Sequence, residues 1–266
     1  MSKTPSRQSF LGAHSDEVLK ATTAGIVGLG GGGSHIAQQL AHVGVGQYSL
    51  FDPQRIEDTN LNRLIGATVE DVRMARFKTD IARRLILGIR PWAQVDVHSV
   101  NWKSQAQALR DCDVIFGCVD SFADRDELER QARRYLIPYI DIGMDVHRSG
   151  ADSHISGQVV LSMPDGPCLW CLGILREELL AEEAAKYGVA GPRQQVVWPN
   201  GILASTAVGM FVQLVTPWAK KPFVPLLEYD GNRGTITVSN KLPFVPRTCP
   251  HFSGADNLGD PFWKVE

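Results

Sequence analysis

Two groups of residues in this 266-residue chain have types and spacing suited to chemistry. The first is Gly28-Leu29-Gly30-Gly31-Gly32-Gly33-Ser34, followed by Asp52. Glycines let a backbone turn sharply and come close to a phosphate, while a helix starting there supplies unpaired N–H groups and a favourable dipole. An acidic residue about 20 positions on can accept hydrogen bonds from ribose hydroxyls. Gly28, Gly30, Gly31, Gly33, Ser34 and Asp52 are therefore the expected nucleotide-binding residues. Tight strand–helix packing is the alternative reading of the glycines, and the loop alone does not select the nucleotide.

The second group is Cys168-Leu169-Trp170-Cys171. Two thiolates at this spacing can hold one tetrahedral Zn²⁺, with two further ligands from elsewhere. Cys249 and His251, in Thr248-Cys249-Pro250-His251, are the natural second pair. Cys168, Cys171, Cys249 and His251 are thus the expected zinc ligands, set against a reactive thiol pair or buried small hydrophobes. Cys112 and Cys118 flank an apolar run and read as core. Asp141, Asp145, His147 and His154 fit a pocket rim or a charged loop equally well.

The elements that must position these residues follow from hydrophobic periodicity. Residues 24–29 read as a buried strand, 34–43 as a helix and 47–51 as a second strand, the size of a right-handed crossover. The alternation continues with a helix at 79–87, strands at 95–100 and 113–118, a charged amphipathic helix at 125–136 and a strand at 138–142. Strands alternating with helices predict a Rossmann-like, doubly wound sheet, mostly parallel in this first half. The second half predicts antiparallel strands at 157–163, 226–229 and 235–238. The last two are joined by the hairpin turn Asp230-Gly231-Asn232-Arg233-Gly234. Between them are expected a charged helix at 177–186, a loop at 188–199 and an apolar helix at 201–215. Trp198-Pro199-Asn200-Gly201 reads as a crossover loop or a helix entry.

Composition narrows the class. The chain is 44% hydrophobic and 21% charged, with a formal charge of −2. That balance predicts no general attraction to nucleic acid. No apolar run reaches the ~20 residues that span a bilayer, and the polar start does not resemble a signal peptide. No membrane partner and a cytoplasmic location are the expectations.

The ordered set Gly28-x-Gly30-Gly31-x-Gly33-Ser34, Asp52, Glu57-Asp58-Thr59-Asn60-Leu61-Asn62-Arg63, Lys78 and Val119-Asp120 resembles the adenylating domain of the ubiquitin-activating superfamily, whose bacterial members include ThiF, MoeB and HesA proteins. An NAD dehydrogenase would share the glycines and Asp52 but would not need the later motifs. The resemblance covers nearly the whole chain. It implies one adenylating domain over residues 1–266, with a nucleotide-binding half near 20–150 and a zinc, crossover and hairpin half near 151–266. It further implies ATP and Mg²⁺, with Asn60, Arg63 and Lys78 acting on the triphosphate and Asp120 holding the magnesium. Such residue types suit a site where a carboxylate meets a triphosphate and negative charge accumulates. Arg7 would be supplied in trans within a homodimer. The acceptor implied is the C-terminal glycine of a small ubiquitin-like or sulfur-carrier protein. A peptide, a tRNA-borne carboxylate or a non-catalytic nucleotide-binding scaffold are the alternatives. Two departures stand out. The family often has Gln after the motif arginine, where this chain has Leu64, and a second C-x-x-C, where this chain has Phe252.

Overall fold

A computed structural model describes residues 7–150, 152–185, 194–219 and 222–252. Its strands are β1 (Thr23–Val27), β2 (Gln47–Phe51), β3 (Gln94–His98), β4 (Val114–Gly117), β5 (Tyr139–Ser149), β6 (Asp152–Ser162), β7 (Leu226–Asp230) and β8 (Thr235–Val238). They form one sheet in the order β3-β2-β1-β4-β5-β6-β7-β8. The first five pair in parallel and the last three are added antiparallel. The chain is therefore α/β, with the two sheet modes divided as the sequence predicts. The strand order reverses between β1 and β4, and ligands of open α/β sheets bind at such a reversal, beyond the strands' carboxyl ends.

The helices are α1 (Ser15–Ala21), α2 (Gly31–Val43), α3 (Val69–Arg73), α4 (Lys78–Ile89), α5 (Phe122–Arg134), α6 (Glu177–Ala185) and α7 (Val197–Val215). Alternation along the buried strands sends side chains to both faces. Ala24, Ile26, Val114, Phe116 and Ile140 meet α2 and α7 through Ile36, Leu40, Ala204 and Phe211. Val27, Ile115 and Tyr139 face the other way, onto Leu128 and Ala132 of α5 and onto Leu169 and Leu172. Each fully buried side chain of this kind contributes roughly 1.5–3 kcal/mol of transfer free energy. None of the described helices is long and apolar enough to cross a membrane.

Several boundaries differ from the sequence reading. α2 begins at Gly31 rather than Ser34, so three of the loop glycines are helical. Glycine is a poor helix former, which hid the helix's first turn from a propensity argument. β5 runs on to Ser149, so Asp145 and His147 are strand residues rather than loop residues. The Trp198–Gly201 segment lies inside the first turns of α7 rather than in a crossover loop. Lys186 and the first half of the expected 188–199 loop, residues 188–193, fall outside the described residues.

The charged helix α5 holds the largest departure. Arg125, Glu129 and Arg133, one turn apart, face inward and are buried. Arg133 donates to Ser162 Oγ (2.8 Å), Pro164 O (3.1 Å) and Gly166 O (3.1 Å). Glu129 accepts from Ser162 Oγ at 2.6 Å and from Leu169 N at 3.0 Å. Burial pushes the Glu129 carboxyl up to about 7, against the opposing pull of Arg133. This inward stripe ties α5 to the end of β6 and to the Cys168 turn.

Candidate active site and metal centre

The glycine segment leaves β1 at its carboxyl end. Gly28 has φ +89°, and a Cβ there would press on the Cys118 carbonyl of the neighbouring β4 end. A Cβ on Gly33 would overlap the Gly28 carbonyl oxygen, whereas one on Gly30 would meet nothing within 4 Å. Gly28 and Gly33 therefore permit close strand–helix packing, and Gly30 leaves backbone open toward a cavity. That cavity has a volume of about 570 Å³ and is lined by Gly28, Gly30, Gly31 and Gly32 on one side. Its size suits a nucleotide-sized ligand. Gly33 and Ser34 do not line it. Ser34 is buried instead, its hydroxyl donating to Gly31 O and accepting from Ile65 N, both at 3.0 Å. It fastens the glycine turn to the segment that carries Asn60 and Arg63.

Asp52, at the end of β2, is buried at the cavity wall. Its carboxylate accepts from Leu29 N at 2.7 Å and from Gln54 N at 2.8 Å. Each oxygen keeps a further lone pair for a hydroxyl. Gln54 in turn accepts from Lys78 Nζ at 2.5 Å. Residues 54–56 run beside 76–78, with Lys78 N donating to Gln54 O and Ile56 N to Arg76 O. This pairing delivers Lys78, the first residue of α4, into the cavity wall with its side chain buried. No carboxylate among the described residues pairs with it, so its charge faces the cavity.

Asn60 and Arg63 come from a short 3₁₀ turn whose Glu57 backbone N–H donates to Asn60 Oδ1 at 3.2 Å. Arg63 donates to Thr59 O at 2.7 Å and to Gln195 Oε1 at 3.1 Å. Leu64, at the position where glutamine is common, lines the cavity and packs in an apolar cluster with Ile56 and Ile81. Asp120 follows β4, immediately before the α5 N-cap Ser121, and accepts from Gln195 Nε2 at 3.1 Å. Asn60, Arg63, Lys78 and Asp120 all line the same cavity as the glycines and Asp52.

Gln54, Arg125, Glu183 and Gln195 are among the lining residues that escaped the sequence reading. The Glu183 carboxylate of α6 accepts from Ser121 Oγ and Ala123 N, each at 3.1 Å, and from Phe122 N at 3.2 Å, covering the N-terminus of α5. Arg125 donates to Val119 O and Ile142 O, each at 3.3 Å, and lies 3.6 Å from Asp141. Burial raises the Asp141 carboxyl, and Arg125 pulls it back. Asp141 is thus a buried support beside the cavity, not part of a charged loop. No local spacing marks these residues, because the fold brings them in from distant segments.

Arg7 does not line the cavity. The adjacent Gln8 donates to Val43 O at the far end of α2. The length of that helix, roughly 20 Å, separates this region from the glycine turn. Within this chain Arg7 is remote from the site.

The cysteine prediction converges in space. The ligand atoms of Cys168, Cys171, Cys249 and His251 all lie within 4.8 Å of one another. Cys168 Sγ is 3.5 Å from Cys171 Sγ and 3.3 Å from His251 Nδ1, and Cys171 Sγ is 3.6 Å from Cys249 Sγ. Donors at about 2.0–2.3 Å from a central ion have separations of this order, so three thiols and an imidazole fit a tetrahedral centre. Phe252 is not wasted at the departed ligand position: Arg133 lies over its ring at 4.7 Å and Arg130 at 5.6 Å. Burial raises the Cys112 and Cys118 thiols, as expected for packed cysteines.

Comparison with known proteins shows the family and the fold. A sequence model of the ThiF family matches residues 5–248. A molybdopterin-synthase adenylyltransferase of Escherichia coli K12 is 27% identical over 219 residues, covering 81% of each chain. A protein of that name from Haemophilus influenzae is 31% identical over 147 residues, 54% of this chain and 56% of that one. Ubiquitin-like modifier-activating enzyme 5 of Caenorhabditis elegans is 30% identical over 122 residues, 41% of this chain and 28% of that one. The chain thus spans about a quarter to somewhat over half the length of several curated relatives. Among solved structures, E. coli MccB with ATP superposes with a TM-score of 0.70 at 20% identity, covering 85% of this chain and 65% of that one.

Proposed function

This chain belongs to the ThiF family, and from that premise we propose that it is a Mg-ATP-dependent adenylyltransferase acting on a carboxylate. The observation that carries the reading is the meeting of Asn60, Arg63, Lys78 and Asp120 with the glycine turn and Asp52 around one cavity. The proposed acceptor is the C-terminal glycine of a small ubiquitin-like or sulfur-carrier protein, as the relatives' names suggest.

In the proposed reaction a carboxylate oxygen attacks the α-phosphorus of ATP. The bond from that phosphorus to the bridging oxygen breaks, and pyrophosphate leaves with its electron pair. Asp52 receives the ribose, and the backbone at Gly30 approaches the phosphates. Lys78 and Arg63 hold negative charge that two anions would otherwise oppose, and Asn60 adds a neutral donor. A magnesium ion at Asp120 would neutralise triphosphate charge. Arg7 would complete the site from a second subunit in a homodimer, since it is distant from its own. The Cys₃His cluster would hold zinc as a structural clip. Its thiols are then engaged, and no other cysteine presents itself as a thioester-forming nucleophile.

ATP–pyrophosphate exchange stimulated by a small protein ending in Gly-Gly tests the reading. Lys78→Ala and Asp120→Ala are each expected to lower exchange by about 100-fold or more, the size of losing one preorganised charge-stabilising group. Exchange at full rate in both variants overturns the assigned roles.

A further inference from the structure

The amide of Gln195 stands between the site's arginine and its exposed aspartate. Its oxygen accepts from Arg63 Nε and its nitrogen donates to Asp120 Oδ1, both at 3.1 Å. Its backbone carbonyl accepts from Asn62 Nδ2 at 3.4 Å, which fixes the segment beside the arginine turn. Gln195 lines the cavity and precedes α7, more than 70 residues from either charged partner in the sequence.

We propose that Gln195 is a positioning residue that keeps Arg63 and Asp120 apart and charged for the nucleotide; the inference rests on the adenylation reading above. Arg63 serves a triphosphate only while its guanidinium is not consumed by Asp120, and Asp120 serves a cation only while Arg63 does not cover it. Oppositely charged side chains on one rim would otherwise pair directly. A neutral amide prevents this because it accepts at one end and donates at the other. It satisfies both groups without cancelling either charge. Glutamate, the same shape but only an acceptor when ionised, would neutralise Arg63 and repel Asp120. The arrangement therefore selects an amide, not merely a side chain of this length.

The test is equilibrium ATP binding by titration calorimetry, first without magnesium and then with it, on the full chain. Gln195→Glu is isosteric and at a half-buried position, so its melting temperature should match that of the unsubstituted chain. Its ATP affinity should fall by about 10-fold, the equivalent of 1.4 kcal/mol. Gln195→Ala should weaken magnesium-free binding by roughly 2- to 5-fold, the size of an exposed ion pair that must be broken first. The discriminating measurement is the double-mutant cycle with Asp120→Asn. The gain in magnesium-free affinity on adding Asp120→Asn should be several-fold larger in the Gln195→Ala background than in the unsubstituted one. Purely additive effects, or ATP binding within 2-fold of the unsubstituted chain in both Gln195 variants, overturn the inference while leaving the adenylation reading standing. No ATP binding by the unsubstituted chain overturns both.

Discussion

Adjacent glycines at this site carry different burdens, and the difference is measurable. Gly33→Ala forces a methyl into the Gly28 carbonyl and is expected to cost more than about 2 kcal/mol, read from urea unfolding. Gly30→Ala has free space around it, so the melting temperature should hold while ATP binding weakens. Asp71 illustrates a charge fixed by packing. It is buried, and it accepts from both Arg84 terminal nitrogens at 2.6 and 2.7 Å and from Thr68 Oγ1 at 2.7 Å. Arg84 holds its carboxyl well below the usual range. A depressed carboxylate contributes stability above its unfolded-state value and loses that stability as pH falls through the folded one. Asp71→Asn is therefore expected to cost about 2 kcal/mol at pH 7, with the deficit shrinking below about pH 4. None of this was readable at the residue level in the sequence. Asp71 is one acid among many until the turn places two arginines on it.

At the scale of elements, α5 links the two centres. Its first turn meets Asp120 and Glu183 at the cavity, while Glu129 and Arg133 further along hold the Cys168 turn. Removing one member of a buried pair strands the other's charge, so Glu129→Ala should destabilise by about 3–5 kcal/mol. The sequence showed α5 as amphipathic and charged. It could not show that three of those charges point inward, since periodicity records apolar faces and is silent on paired polar ones. The Cys₃His cluster, the proposed metal centre, joins segments 78 residues apart at Cys171 and Cys249. A metal held there would bind the folded chain in preference to the unfolded one, so its binding free energy would add to folding stability. Prolonged chelation should then lower the melting temperature by roughly 10 °C, with metal content measured in parallel. A purified chain with no bound metal, melting unchanged under chelator, would remove zinc from the account.

For the whole molecule, the proposed homodimer makes each site depend on two chains. Gln8, next to Arg7, bonds at the end of α2 opposite the cavity, so the proposed contact of Arg7 with a nucleotide requires the proposed second chain. Mixing inactive Arg7→Ala and Lys78→Ala chains should restore about 25% of exchange activity, because half of the proposed dimers would be mixed and each would carry one complete site. No recovery after subunit mixing would confine Arg7 to its own chain and end its catalytic role. The cavity's position at the β1/β4 reversal is a property of the same scale. It exists because the sheet changes direction there, leaving a crevice between helices that leave on opposite faces.

The sequence by itself determined the α/β alternation, the glycine turn with Asp52, the family resemblance and which three cysteines and histidine cluster. Each is a short-range pattern: a period, a spacing or a run of residue types whose physics is local. Only the tertiary structure decided that Gln54, Arg125, Glu183 and Gln195 stand at the cavity, that Ser34 and Gly33 brace it from behind, and that Arg7 does not reach it. Those facts depend on which distant segments meet. That is set by the packing of α2, α5 and α7 on a sheet whose strand order is not the order of the chain.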